Sequence, residues 1–178
     1  LLQAASREAL TLERDLYAIE ARTDRLTGVE NRAGWESRLI DEDNRRARYP
    51  SAVSIVSADL NGLKAINDRD GHEAGDRVIR ATADLLRATA RNVDHVARVG
   101  GDEFLILLPE TDEFGAARFV SRVRLAAMRT MCDGVCLSIS FGAATATRNE
   151  PLHDTVRRAD AAMYASKSGA ANGVVQPR

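Results

Sequence analysis

The stretch VARVGGDEFLILLPE, Val96–Glu110, restricts the fold of this chain more than any other. Two apolar runs flank Gly100-Gly101. Both glycines can take positive φ, which a two-residue primed turn requires. Val96–Val99 is therefore expected to run up one strand and Phe104–Leu108 down the next, a hairpin that breaks any all-parallel arrangement. Asp102 and Glu103 then stand at the top of the returning strand. As consecutive strand residues they point to opposite faces.

Helical and strand patterns alternate elsewhere. A helix is expected from Asn31 to about Arg46, burying Trp35, Leu39 and Ile40. SAVSIVSAD reads as a strand ending at Asp59. Residues 73–90 place Val78, Thr82, Leu85 and Leu86 on one helical face. A further helix near 113–129 aligns Ala116, Val120, Val123 and Ala127. GVCLSISFGAATA is a strand region, and a last helix over about 151–168 aligns Leu152, Val156, Ala159 and Met163. The expected class is α/β: a mostly antiparallel sheet flanked by helices.

Residues 1–22 lack Gly and Pro and place Leu2, Ala9 and Leu16, with Ala5, Leu12 and Ile19, at a and d positions over three heptads. Two structures suit this pattern: a helix packed on its own domain, or the end of a parallel two-helix signalling stalk. TDRLTGVENR clusters turn residues and divides this segment from a domain spanning 23–178.

Composition narrows the partners. The 178 residues carry a formal charge of -1, so no global field draws nucleic acid or anionic membrane. An anionic ligand must be met by a local site. No run of about 18 apolar residues is present, nor is a signal peptide. The chain opens on Leu1 rather than Met, so a longer protein with an upstream sensor, open to membrane attachment, is expected. Cys132 and Cys136 cannot build a zinc site alone and read as small buried residues of a reduced, cytoplasmic protein.

Asp59 ends an apolar strand, as Asp102 and Glu103 begin one. If these strand ends are neighbours, three hard oxygen ligands converge, a set that suits Mg²⁺ (or Mn²⁺). The following stretch, DLNGLKAINDRDGHEAGD, adds the groups a nucleotide needs. Gly62 allows close backbone approach. Lys64 offers a cation for phosphate. Asn67 and Asp76 offer hydrogen bonds to a guanine edge.

With TDRLTGVENR upstream and ADAAMYASKSG downstream, RVGGDEF and this stretch resemble the GGDEF family of diguanylate cyclases over roughly Thr23–Asn172. The resemblance implies a fold like the adenylyl-cyclase core and polymerase palm. It implies condensation of two GTP into cyclic di-GMP and two pyrophosphates across a two-fold homodimer. It implies metal binding by Asp59, the Leu60 carbonyl, Asp102 and Glu103, with Asp102 also deprotonating the 3′-hydroxyl. Asn67 and Asp76 match guanine readers, and Lys64 and Lys167 match phosphate-binding lysines. Leu63 stands where the family often has Phe. His72 belongs to the GH…GD segment and is expected to be structural within the substrate site.

Arg91 and Asp94 form R-x-x-D five residues before the glycines, the family's inhibitory product site, with Arg122 expected from another subunit. The last motif departs from the family: KSGAAN puts Ala170 and Ala171 where Gly and a phosphate-binding Arg are usual. That departure keeps a second reading open, a catalytically weak module that binds GTP or cyclic di-GMP.

Overall fold

The expected hairpin forms and occupies one side of a four-stranded antiparallel sheet. The computed structural model describes residues 19–171. In chain order the elements are α1 (Arg32–Arg48), β1 (Val53–Leu60), α2 (Leu63–Asp70), α3 (His72–Thr89), β2 (His95–Arg98), β3 (Glu103–Pro109), α4 (Glu113–Ala127), β4 (Met131–Cys132), β5 (Val135–Cys136), β6 (Ile139–Thr145) and α5 (Leu152–Ala171). The sheet order is β2-β3-β1-β6, and β4-β5 make a separate small hairpin. Residues 19–22 are helical, and the rest of the expected stalk lies outside the described residues.

β1 is a middle strand, buried at all eight positions. Its alternation is weak in the sequence because both faces are covered by helices. On one face Val56, Ala58, Phe104, Ile106 and Leu108 pack with α3 and α4 through Val78, Leu86, Phe119 and Val123. On the other Val53, Ile55, Leu105 and Leu107 pack with α1 and α5 through Trp35, Leu39, Leu152 and Ala159. The helix caps follow sequence rules: the Asn31 side chain accepts from Gly34 N and that of Asp112 from Gly115 N.

Three expectations are corrected. Ile40 is 58% exposed, because the core stripe of α1 passes through Trp35 and Leu39 and leaves Ile40 beside it. The strand region after Gly134 divides into β5 and β6, and β4 joins β5 as a hairpin that short apolar runs did not announce. Cys132 is half-buried and Cys136 exposed, both as free thiols, because that hairpin lies outside the main sheet.

Before α1, the turn segment adds to the sheet edge. Glu30 bridges Ala97 of β2 in parallel, with Glu30 N donating to Val96 O (3.1 Å) and Arg98 N to Glu30 O (2.8 Å). Burial raises the Glu30 pKa, but bonds from His95 and Arg38 outweigh it and hold the carboxyl below its ordinary range.

Candidate active site

The site is assembled where the two middle strands end. Register places Asp59 of β1 directly opposite Glu103 of β3, with Ser140 of β6 on its other side. Leu60 N donates to Asp102 O at 3.0 Å, which fixes the loop against β1. The three acids are thus neighbours in backbone. Asp59 is buried, Asp102 half-buried and Glu103 exposed. Their side chains are not drawn into one cluster: among the described residues no three Asp, Glu, His or Cys groups stand ready to hold a metal ion. The Asp59 carboxylate instead accepts from Lys167 Nζ, at 2.6 Å. Asp59 and Glu103 are hard oxygen donors on adjacent strands, so this donor set fits a divalent cation once that lysine moves.

The turn differs from the expected primed form. Neither Gly100 nor Gly101 has positive φ. Val99 N donates to Glu103 O (3.0 Å), closing a three-residue loop, so Asp102 lies in the turn and not on the strand. Gly100 leaves room for a different reason: a Cβ there would lie 2.5 Å from Glu103 Oε2, so that carboxylate, which folds back over the loop, would have to swing aside.

Two arginines that sequence reasoning passed over hold this loop. Arg98 donates to Gly101 O (2.8 Å) and to both carboxylate oxygens of Asp24 (3.2 Å each), while Arg32 Nη2 donates to Val99 O (2.6 Å). Burial pushes the Asp24 pKa up, yet bonds from Thr27 and Arg98 lower it overall. Only the tertiary fold joins TDRLTG to RVGG, although Asp24 and Arg98 were each visible in quoted motifs.

α2 and α3 present the proposed nucleotide groups. Gly62 caps α2 at φ 77, with open space where a Cβ would stand; left-handed backbone, more than close packing, demands glycine there. Lys64 is exposed on the first turn of α2, and half-buried Leu63 packs against the core. Asn67 Oδ1 is buried without a hydrogen-bond partner among the described residues. It would lie 1.9 Å from a Cβ on Gly75, so the missing side chain of Gly75 makes its room. Asp76 follows, half-buried on α3. His72 opens α3 with an exposed side chain, at the solvent-facing start of the helix.

A separate cleft of about 560 Å³ holds Arg91, Asp94, Arg118 and Arg122 together with Glu110 and Asp112. The Asp94 side chain is 1% exposed and pairs with Arg91 at 2.8 Å. Arg91 Nη2 also donates to Pro109 O and Thr111 Oγ1. The Asp94 bond holds the Arg91 guanidinium more firmly protonated than usual. Arg122, expected from a second subunit, lines the cleft of its own chain, donating to Thr89 O. Arg118 was not foreseen; it lies four residues before Arg122 on α4 and so on the same helical face.

An antiparallel α/β sandwich whose middle strands end in facing acids is the class this arrangement defines, and comparison gives it a family. The chain belongs to the GGDEF family: the family described as "Diguanylate cyclase, GGDEF domain" matches residues 21–173. It is similar to the diguanylate cyclase DgcP of Pseudomonas aeruginosa, at 36% identity over 93% of this chain and 27% of the relative. It is likewise similar to the response regulator PleD of Caulobacter vibrioides, at 33% identity over 86% of this chain and 35% of PleD. The chain therefore spans about a third of the length of these curated relatives. Among solved structures it resembles the coiled coil and GGDEF domain of DgcB from Caulobacter crescentus in complex with c-di-GMP. There the TM-score is 0.87 and the identity 28%, over 94% of this chain and 91% of that one.

Proposed function

We propose that this domain is a diguanylate cyclase, condensing two GTP into cyclic di-GMP with release of two pyrophosphates. The observation that carries the reading is the register of Asp59 against Glu103, with Asp102 tied to Leu60 beside them. Family membership supports it. Asp59, the Leu60 carbonyl, Asp102 and Glu103 would hold Mg²⁺ or Mn²⁺. When bound, the cation offsets charge growing on the phosphate oxygens.

The side chains divide the remaining tasks. Asn67 and Asp76 hold the guanine edge, and the unpartnered Asn67 Oδ1 is an acceptor waiting for a donor. Lys64 and Lys167 neutralise phosphate. A carboxylate of the Asp102–Glu103 pair takes the proton of the 3′-hydroxyl as that oxygen bonds to the α-phosphorus of the second GTP. The bond to the leaving pyrophosphate then breaks. One chain offers one such half-site, so the reaction calls for a two-fold homodimer. Residues 1–22 would serve as the dimerising stalk and residues 23–178 as the catalytic domain, answering to an upstream sensor.

The arginine-lined cleft suits the anionic product, with Arg91, Asp94 and Arg122 as its inhibitory site. Among the described residues no helix is long and apolar enough to cross a membrane. We place the reaction in the cytoplasm, where GTP is made. Ala171 favours the second reading, a weakly active nucleotide-binding module. Purified protein incubated with GTP and Mg²⁺, followed by chromatography, decides between them. Cyclic di-GMP and pyrophosphate in a 1:2 ratio are expected; no product at protein concentrations that favour dimers would overturn the cyclase.

A further inference from the structure

Lys167 sits where a metal would have to bind. Its Nζ lies 2.6 Å from Asp59 Oδ1, with the Asp59 side chain 10% exposed and that of Lys167 45% exposed. The reach is set by the fold. One turn before Lys167, the backbone of α5 at Met163 presses on Gly142 of β6, where an added Cβ would meet Met163 N at 2.1 Å. Gly142 pairs with Ser57, two residues before Asp59 on the same face of β1. The lysine is thus delivered to Asp59 by a close helix–sheet contact rather than by a loose surface encounter.

We infer that Lys167 is a resident competitor for the divalent cation: it occupies Asp59 in the nucleotide-free domain and leaves when a triphosphate arrives. The inference rests on the reading of Asp59 as a metal ligand and adds a regulation of that site. A carboxylate this buried is costly without a counter-charge, so one cation must replace another. The acids do not gather around Asp59 while the ammonium holds it, in keeping with the absence of a three-acid cluster among the described residues. Lys167 is also the one basic residue between Arg158 and Arg178. With Ala171 carrying no charge, α5 beyond Arg158 has no second cation for phosphate, and the same lysine must serve both partners. Phosphates that draw Lys167 away release Asp59 to the metal. Metal and nucleotide then bind with positive coupling, each relieving the other's obstacle.

The test is Mn²⁺ binding to the nucleotide-free protein, read by electron paramagnetic resonance of the free ion. Lys167→Met and Lys167→Gln should each bind Mn²⁺ about tenfold more tightly than wild type, since one favourable ion pair no longer opposes binding. Lys167→Arg should stay near wild type. Adding Asp59→Asn to Lys167→Met should abolish the gain. Unchanged or weaker Mn²⁺ binding in both neutral variants overturns the inference. The two ideas fail separately. A wild-type protein that makes product while the variants show no gain overturns the competition alone. One that makes none, while the variants do gain, removes the cyclase and leaves the competition standing.

Discussion

Gly142→Ala tests how the site is held. The β6 residue faces α5 so closely that a methyl group would lie 2.1 Å from Met163 N, 2.2 Å from Ala159 O and 2.7 Å from Met163 Cα. All three are backbone atoms, so no flexible side chain can give way. Restoring ordinary contact, 3.4 Å or more, requires about 1.3 Å of outward movement by the helix or the strand. Overpacking of this kind costs about 1–3 kcal/mol, which for a domain of this size lowers Tm by about 2–12 °C. The same movement carries Lys167 away from Asp59, so a functional effect should accompany the thermal one. The assay is a calorimetric melt with steady-state GTP turnover on the same preparation. Ala143→Ser, at the exposed neighbouring position, is the control and should stay within about 0.5 kcal/mol of wild type. A Gly142→Ala protein that melts within about 1 °C of wild type, with unaltered GTP kinetics, would refute the argument that backbone contact at Gly142 positions α5.

Asp94→Ala should cost about 1–3 kcal/mol in a urea melt, because it strips the buried partner of Arg91 and leaves Arg91 N without its acceptor. Arg91→Ala should lose most of its cyclic di-GMP affinity in calorimetry; full affinity would count against product binding in that cleft. Asn67→Ala should raise KM for GTP by about two- to tenfold, one neutral hydrogen bond to a base being worth about 0.5–1.5 kcal/mol, while leaving the melting temperature nearly unchanged. The Glu150 carboxyl is held at about 2 by hydrogen bonds from Arg158 and then Thr147, which outweigh its partial burial. Its folded pKa lies below the unfolded 4.5, so its stabilising contribution is complete above that pH and fades as pH falls toward about 2. The stability gap between wild type and Glu150→Gln should accordingly be present at pH 7 and close in acid; a gap that persists at pH 2 would remove this account.

Local chemistry made much of this molecule legible. The α1 helix beginning beside Asn31, the α4 stripe of Ala116, Val120, Val123 and Ala127, and the antiparallel hairpin all rest on neighbours a few residues apart, and all appear where the spacing puts them. The acids at strand ends were legible for the same reason: a strand that stops in a polar residue delivers that residue to an edge. Less was readable where partners lie far apart in the chain. Ile40 looked like core until the direction of the α1 stripe was fixed by Trp35 and Leu39 meeting the sheet. Gly100-Gly101 suggested a primed turn, but neither takes positive φ, and only at Gly100 would a Cβ press on the Glu103 side chain. Gly75 gave no sign that its absent side chain houses Asn67.

By itself, then, the sequence named which residues could act: Asp59, Asp102, Glu103, Lys64, Asn67 and Asp76 by their chemistry and place in the chain, and Lys167 and the R-x-x-D pair through resemblance to a family. Tertiary structure alone decided which of them meet. Asp59 and Glu103 are opposed through strand register, Asp24 reaches Gly101 through Arg98, and Lys167 crosses 108 residues of chain to the Asp59 carboxylate. Propensity and capping act over a few residues, whereas ion pairs and close backbone contacts depend on distances in space, which exist only after the sheet and its helices have packed.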